Sequence, residues 1–330
     1  MGKLERSGIA VAGSVLVDKI NEIRSYPKCG ELTQITKVES AVGGCVPNVS
    51  VDLKKICPDL KVSAIRRIGN DQEGRFITDI LSNEGVDTSG LAIYEDEKTS
   101  FTEVMSVVNG QRTFFAYPGA SAEFGYDDIP FDKLNERILH LGYFLLLQKV
   151  DEGDGVLILK KAKEIGMKTA IDIVSENSDR YFLIRECLPY VDYLIINEYE
   201  AGKLAGMEAS EENLEKIAYI LKEMGVNEKV IIHMPSRAIC LSNDEWTEVG
   251  SYILPDDFIK GTTGAGDAFC AGCLIGIHEG FSDKEMLEFA SGCAVMALCE
   301  ADATSGLVKR EDIHEYCSQF ERYNVDKMEV

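Results

Sequence analysis

Past residue 140 the chain alternates short apolar runs with amphipathic ones. YFLLL (143–147) reads as a buried strand, GVLILKKAKEIG as a helix stopped by Gly166, and KTAIDIV and DYLIIN (192–197) as further strands. A helix pattern over NLEKIAYILKEMG follows, then the strand KVIIHM and two helical stretches beyond residue 264. Apolar strands separated by amphipathic helices predict βαβ units and a mostly parallel sheet covered on both faces. In such α/β sheets the ligand binds beyond the carboxyl ends of the strands. Residues that directly follow a strand therefore matter most.

Two segments of the first third break this pattern. VLVDKINEI followed by ELTQITKVE, and SFTEVMSVVNGQRTFFAY with Asn109–Gly110 at its turn, read as β-hairpins of mixed polarity. They predict a small antiparallel β lid over the strand ends, in segments of about 14–42 and 97–122. No long linker, repeat or low-complexity run divides the chain, so residues 1–330 read as one domain with this appendage. Near the start, GIAVAGSVLV follows Lys3 and Arg6, and Ala10 and Ala12 mimic a cleavage site. Only Ile9 separates the basic residues from that site, too little for a signal peptide, so the run reads as a first buried strand.

Composition narrows the function. Asp and Glu total 56 against 34 Lys and Arg, a formal charge of -22. This argues against nucleic-acid partners and against an anionic membrane surface. It leaves room for anionic ligands, which backbone N–H groups hold well inside an acidic protein. No apolar run reaches the roughly 18 residues of a membrane span, and a cytoplasmic protein is expected. The ten cysteines are scattered. The one close pair, Cys270 and Cys273 in DAFCAGC, has no second Cys or His pair at ligand spacing, so reduced thiols in a packed helix are expected.

The chemistry concentrates in GTTGAGDAF (261–269). Gly261 and Gly266 have the spacing of a phosphate-cradling P-loop, yet Asp267 and Ala268 stand where Lys and Ser or Thr would follow. A dinucleotide fingerprint also fails, because position 269 is Phe. Glycines leading into an apolar helix aim free N–H groups and the positive end of a dipole at the loop, which makes an anion hole from Gly264, Ala265 and Gly266. A carboxylate beside that hole suits the other reactant, as a base for an attacking hydroxyl. The plainer alternative is a glycine-rich turn with Asp267 as an ordinary helix-start acid.

GTTGAGDAFCAG resembles the C-terminal signature of the ribokinase-like, or PfkB, sugar kinases, in which the Asp of the G-A-G-D run is the catalytic base. The resemblance extends over nearly the whole chain. GSVLVD resembles the family's first strand end, which implies substrate hydroxyls on Asp18. GGCVPN resembles its G-G-x-x-x-N element, placing Gly43, Gly44 and Asn48 against the sugar. RIGNDQEG matches its G-x-D-x-x-G stretch at Gly69, Asp71 and Gly74. INEYEAGKLAG resembles the N-x-x-E motif, in which Asn197 and Glu200 organise magnesium and phosphate, Glu200 through water. The glycine-rich loop adds Thr262 and Thr263 to the phosphate contacts. The family implies a three-layer sandwich with ATP and Mg²⁺ as cofactors.

The residues are also reasonable on their own terms. Asp18 and Asn48 supply the acceptor and donor pattern of a polyol site, while Asn197 follows an apolar strand directly. Glu200 alone would read as a first-turn partner of a helix dipole, and Asp18 alone as a surface acid. Departures from the family sharpen the expectation. Gly261 replaces an acid that shapes a monovalent-cation site, so dependence on K⁺ is left open. VIIHMPSRAICLS has His233, Pro235 and Ala238 where the family often has T-x-G-x-x-G beside the nucleotide, and His233 reads as a strand-end residue. Leu16 replaces a polar sugar contact, and Gln148 and Val150 replace the acid used for ribose, so ribose is not the expected acceptor. The chain is expected to phosphorylate a primary hydroxyl of a sugar or sugar-like alcohol. A nucleoside (adenosine-like) kinase is the alternative enzyme, and a non-catalytic sugar or nucleotide sensor the alternative from another class. Exposed lid edges predict a homodimer through the lid.

Overall fold

The computed structural model describes residues 6–107, 112–255 and 257–325. The expected Asn109–Gly110 turn lies outside the described residues. The chain opens with β1 (Ile9–Gly13), β2 (Leu16–Ile23), β3 (Ile35–Gly43) and α1 (Cys45–Ile56). β4 (Val62–Gly69), α2 (Gln72–Asn83) and β5 (Asp87–Tyr94) lead to β6 (Phe101–Val107), β7 (Arg112–Tyr117) and the short α3 (Gly119–Ala122). Next come β8 (Ile138–Phe144), α4 (Gly155–Glu164), β9 (Lys168–Ile173), β10 (Tyr193–Asn197), α5 (Glu198–Ala205) and α6 (Leu214–Glu223). β11 (Lys229–His233), β12 (Arg237–Ser242) and β13 (Glu245–Gly250) precede α7 (Ala265–Glu279), α8 (Asp283–Leu298) and α9 (Arg310–Cys317).

Nine strands form one sheet in the order β13-β12-β11-β10-β9-β8-β1-β4-β5, parallel except for β12 and β13 at one edge. Side chains of a strand alternate between faces, so apolar positions must serve two cores. In β1, Ile9 and Val11 enter the core shared with α1, α7 and α8, whereas Ala10 and Ala12 enter the one shared with α4, α5 and α6. This is the expected three-layer arrangement. Among the described residues, no helix is long and apolar enough to cross a membrane.

The second sheet has the order β3-β2-β6-β7. Both expected hairpins are present and antiparallel, and they meet through a parallel pairing of β2 with β6, from Val17 against Phe101 to Ile23 against Val107. GIAVAGSVLV is therefore not one strand: it divides at Ser14–Val15 between the two sheets, and Asp18 sits within β2. YFLLL is likewise not a strand. β8 runs earlier, and Tyr143 (φ 63°) and Leu145 (φ 78°) take left-handed conformations that end the extended run. VIIHMPSRAICLS folds back on itself as the β11–β12 hairpin, with His233 opposite Ala238. The unit β4-α2-β5 and helix α9 were not legible in the apolar pattern.

Candidate active site

Helix α7 places the central acid. Gly264 caps it in the left-handed conformation, φ 81°, and an added Cβ would stand 2.5 Å from the Ala303 Cα. Only glycine fits there. The first-turn N–H groups of α7, that of Gly266 included, have no partner within the helix and lie at its positive end. The helix is fixed from behind, because Gly272 lets it approach α8 so closely that an added Cβ would come 2.6 Å from the Ala290 Cα.

Asp267 follows in the first turn and is only 6% exposed. Its Oδ2 accepts hydrogen bonds from Asn48 Nδ2 at 2.9 Å and from the Tyr143 hydroxyl at 3.0 Å. Burial, and then the nearby Asp172 carboxylate, push its pKa up to about 7, against the two hydrogen bonds and His140. A carboxylate that titrates near neutrality is the result. Tyr143 is held in turn: its backbone N–H donates to Asp172 Oδ1 at 2.5 Å, and Asp172 Oδ2 lies 3.1 Å from His140 Nε2.

A cavity of about 190 Å³ opens in front of Asp267, with Gly264, Gly266, Asn197 and Glu200 in its wall. A larger one of about 580 Å³ shares Asn197, His233 and Gly266 with it and continues along mostly apolar side chains such as Tyr252, Phe269 and Leu298. Gly266 sits where the two meet. A Cβ there would project to 3.7 Å from His233 Cε1 and narrow the passage. His233 both ends β11 and walls the two cavities. Its ring packs on Phe269 at 4.8 Å, and burial lowers its pKa to about 4, so it is neutral at physiological pH.

Asn197 and Glu200 form a capping box at the start of α5. Asn197 Oδ1 accepts from the Glu200 N–H at 2.9 Å, and Glu200 Oε2 accepts from the Asn197 N–H at 3.0 Å. Ser175 donates to Glu200 Oε1 at 2.7 Å, and burial raises the Glu200 pKa to about 7. Each carboxylate oxygen already takes one hydrogen bond. The group can still reach a hydrated ion through the cavity.

The remaining expected residues divide. Asn48 joins α1 to Asp267, and its Oδ1 is buried without a partner among the described residues. Asp18 lies beside Gly43, whose added Cβ would come 2.9 Å from Asp18 Oδ2, and burial raises the Asp18 pKa against a hydrogen bond from Thr102. Gly44 (φ 96°) caps α1, where a Cβ would strike the Ser14 carbonyl at 2.6 Å. Asp18, Gly43 and Gly44 lie outside the walls of both cavities. Ala265 and Thr262 line the larger cavity, whereas Thr263 is exposed and lines neither. Asp71 caps α2 and binds Thr99, which makes it an anchor for the base of β6. Gln148 is exposed and bonds Glu152.

Sequence reasoning missed Tyr143, Asp172, His140 and Ser175. One signal was available: Asp172 is an acid inside the otherwise apolar run AIDIV (170–174), and near a strand's carboxyl end.

A family model described as pfkB family carbohydrate kinase matches residues 7–310. Ribokinase of Arabidopsis thaliana is 26% identical over 311 residues, covering 92% of this chain and 79% of its own. Ribokinase of Haemophilus influenzae is 24% identical over 314 residues, covering 94% and 98%. Among solved structures, Arabidopsis thaliana ribokinase complexed with ribose and ATP superposes with a TM-score of 0.82 at 24% identity, covering 94% of this chain and 98% of that one. Ribokinase from Cryptococcus neoformans var. grubii serotype A in complex with ADP gives 0.77 at 21% identity, covering 94% and 99%. With the family model spanning most of its length, the chain belongs to the pfkB family of carbohydrate kinases and is a phosphotransferase of that class.

Proposed function

We propose that the chain transfers the γ-phosphate of ATP to a primary hydroxyl of a sugar or sugar-like alcohol. The observation that carries this reading is Asp267: a buried carboxylate, titrating near neutrality, beside the N-terminus of α7 and a cavity walled by Gly264 and Gly266. Asn48 and Tyr143 both bond Oδ2, which leaves Oδ1 to face the acceptor. Asp267 takes the hydroxyl proton as the acceptor oxygen forms its bond to the γ-phosphorus. The bond from that phosphorus to the bridging oxygen breaks, and its electron pair leaves with ADP. Backbone N–H groups of Gly264, Ala265 and Gly266 stabilise the charge that develops on the transferring group. Asp18, Asn48 and the Gly43–Gly44 backbone orient the acceptor. The larger cavity suits an adenosine moiety, and the Gly264 and Gly266 wall of the smaller cavity, at the start of α7, suits a phosphate. Mg²⁺, when bound, supplies positive charge at the phosphates, and Asn197 and Glu200 would hold its waters. The two hairpins, residues of about 14–42 and 97–122, act as a lid of one kinase domain that excludes water. Gly261 leaves the need for a monovalent cation open, and turnover compared in K⁺ and in tetramethylammonium buffers decides it.

ADP release with Mg-ATP, measured across pentoses, hexoses, keto-sugar acids and nucleosides, tests the reading. Stimulation by a sugar supports it. Leu16, whose side chain crowds Gly43, favours a nucleoside as the second reading, and stimulation by nucleosides alone would select it. Binding without ADP release for every acceptor would leave a sensor and overturn both.

A further inference from the structure

We propose that His140, Asp172 and Cys270 form a binding site for a thiophilic divalent cation of the zinc class at the floor of the smaller cavity. The three side chains come from β8, β9 and α7, far apart in sequence. The sheet register brings them together. His140 pairs with Ala170 across β8 and β9, and Asp172 lies two residues on, hence on the same face, which Ala170 shares with the core of α7.

All three residues are buried, and their donor atoms lie within 4.8 Å of one another. His140 Nε2 stands 3.1 Å from Asp172 Oδ2 and 3.7 Å from Cys270 Sγ. Tetrahedral zinc holds N and O ligands at about 2.0 Å and thiolate at about 2.3 Å, which sets neighbouring donors roughly 3.3–3.6 Å apart. The two separations from His140 bracket that range, and the Asp172 and Cys270 donors lie within 4.8 Å of each other. Imidazole and thiolate select a soft ion, whereas Mg²⁺ takes oxygen ligands, so the site is chemically separate from nucleotide-bound magnesium. Asp172 and Cys270 both reach the cavity wall, which supplies an entry path and room for a water in the fourth position.

On binding, the Cys270 thiol loses its proton to solvent and becomes a thiolate ligand, Asp172 binds as a carboxylate, and His140 binds through Nε2 with its remaining ring proton on Nδ1. Nδ1 has no partner among the described residues. Outer-shell partners commonly contribute ~10–100-fold in affinity. The site therefore suits a reversibly bound ion rather than a structural one.

Cobalt titration of the full chain without nucleotide tests this, in a Cys29→Ser background that removes the exposed thiol. Stoichiometric Co²⁺ is expected to give a thiolate-to-cobalt charge-transfer band with tetrahedral visible bands, and excess Mg²⁺ should not abolish them. Cys270→Ser should lose the charge-transfer band, His140→Gln should weaken binding by about tenfold or more, and Cys273→Ser should keep the band. No band in the folded parent, or a band kept by Cys270→Ser and lost in Cys273→Ser, would overturn the assignment. Should Cys270→Ser fail to fold, the parent spectrum and His140→Gln still decide it.

Discussion

The fate of Asp267 depends on groups that reach it from three other elements. Asn48 and Asp52 approach from α1, Tyr143 and His140 from β8, Asp172 from β9, and the acid itself begins α7. With its pKa pushed to about 7, mainly by burial, the ionised base is depleted in acid. The expected kcat/KM rises with pH through about 7 and is level above it. Asp267→Asn keeps the shape and removes the base, so kcat is expected to fall at least ~100-fold with little change in acceptor KM. A fall of less than tenfold would sink the general-base role. Tyr143→Phe removes a hydrogen bond that favours the carboxylate, so the acid limb should move upward, by about half to one pH unit if the bond is worth ~1 kcal/mol. A limb that stays in place would exclude Tyr143 as a positioning residue. Asp267 was legible because the glycine-rich loop and helix start are local. Tyr143 was not, since its role rests on a left-handed φ of 63° and a contact 124 residues away, which no pattern of apolar positions encodes.

Elements explain what periodicity could read. The strands β10 and β11 carry nearly continuous apolar runs, YLII and VII, and parallel burial on both faces demands that. β8 was misplaced because its run holds a buried histidine and ends in two residues of positive φ, so the most apolar stretch is the turn and not the strand. Glu200 shows why a motif underdetermines its role. The same Asn-x-x-Glu spacing that places an acid near phosphate also makes a capping box, and both uses share one geometry. In α7, Gly272 and Gly276 serve packing against α8. Gly272→Val would drive Cγ atoms into the Ala290 backbone, and such overpacking typically costs ~1–3 kcal/mol. Urea unfolding should show a lower midpoint with an unchanged slope. An unshifted midpoint would mean that the α7–α8 contact is slack and does not fix Asp267.

At the scale of the molecule, the small sheet leaves apolar surface that one chain does not cover. Every residue of β7 is exposed, Phe114 and Phe115 at 62% and 59%, and Val38 on the opposite edge strand β3 at 66%. The register sets Phe114 against Val104 and Phe115 against Glu103, so the two rings stand on opposite faces of the lid. An uncovered, aromatic edge strand invites pairing with another chain, and a second copy offers the same edge in return. The formal charge of -22 opposes indiscriminate association. We therefore propose a homodimer joined through the lid. Sedimentation velocity at micromolar concentration should give a dimer, and Phe114→Glu with Phe115→Glu should convert it to a folded monomer, because buried carboxylates without partners are costly in a shared apolar interface. A parent chain that sediments only as a monomer would remove the lid contact. A double variant that remains dimeric would place the interface on another face.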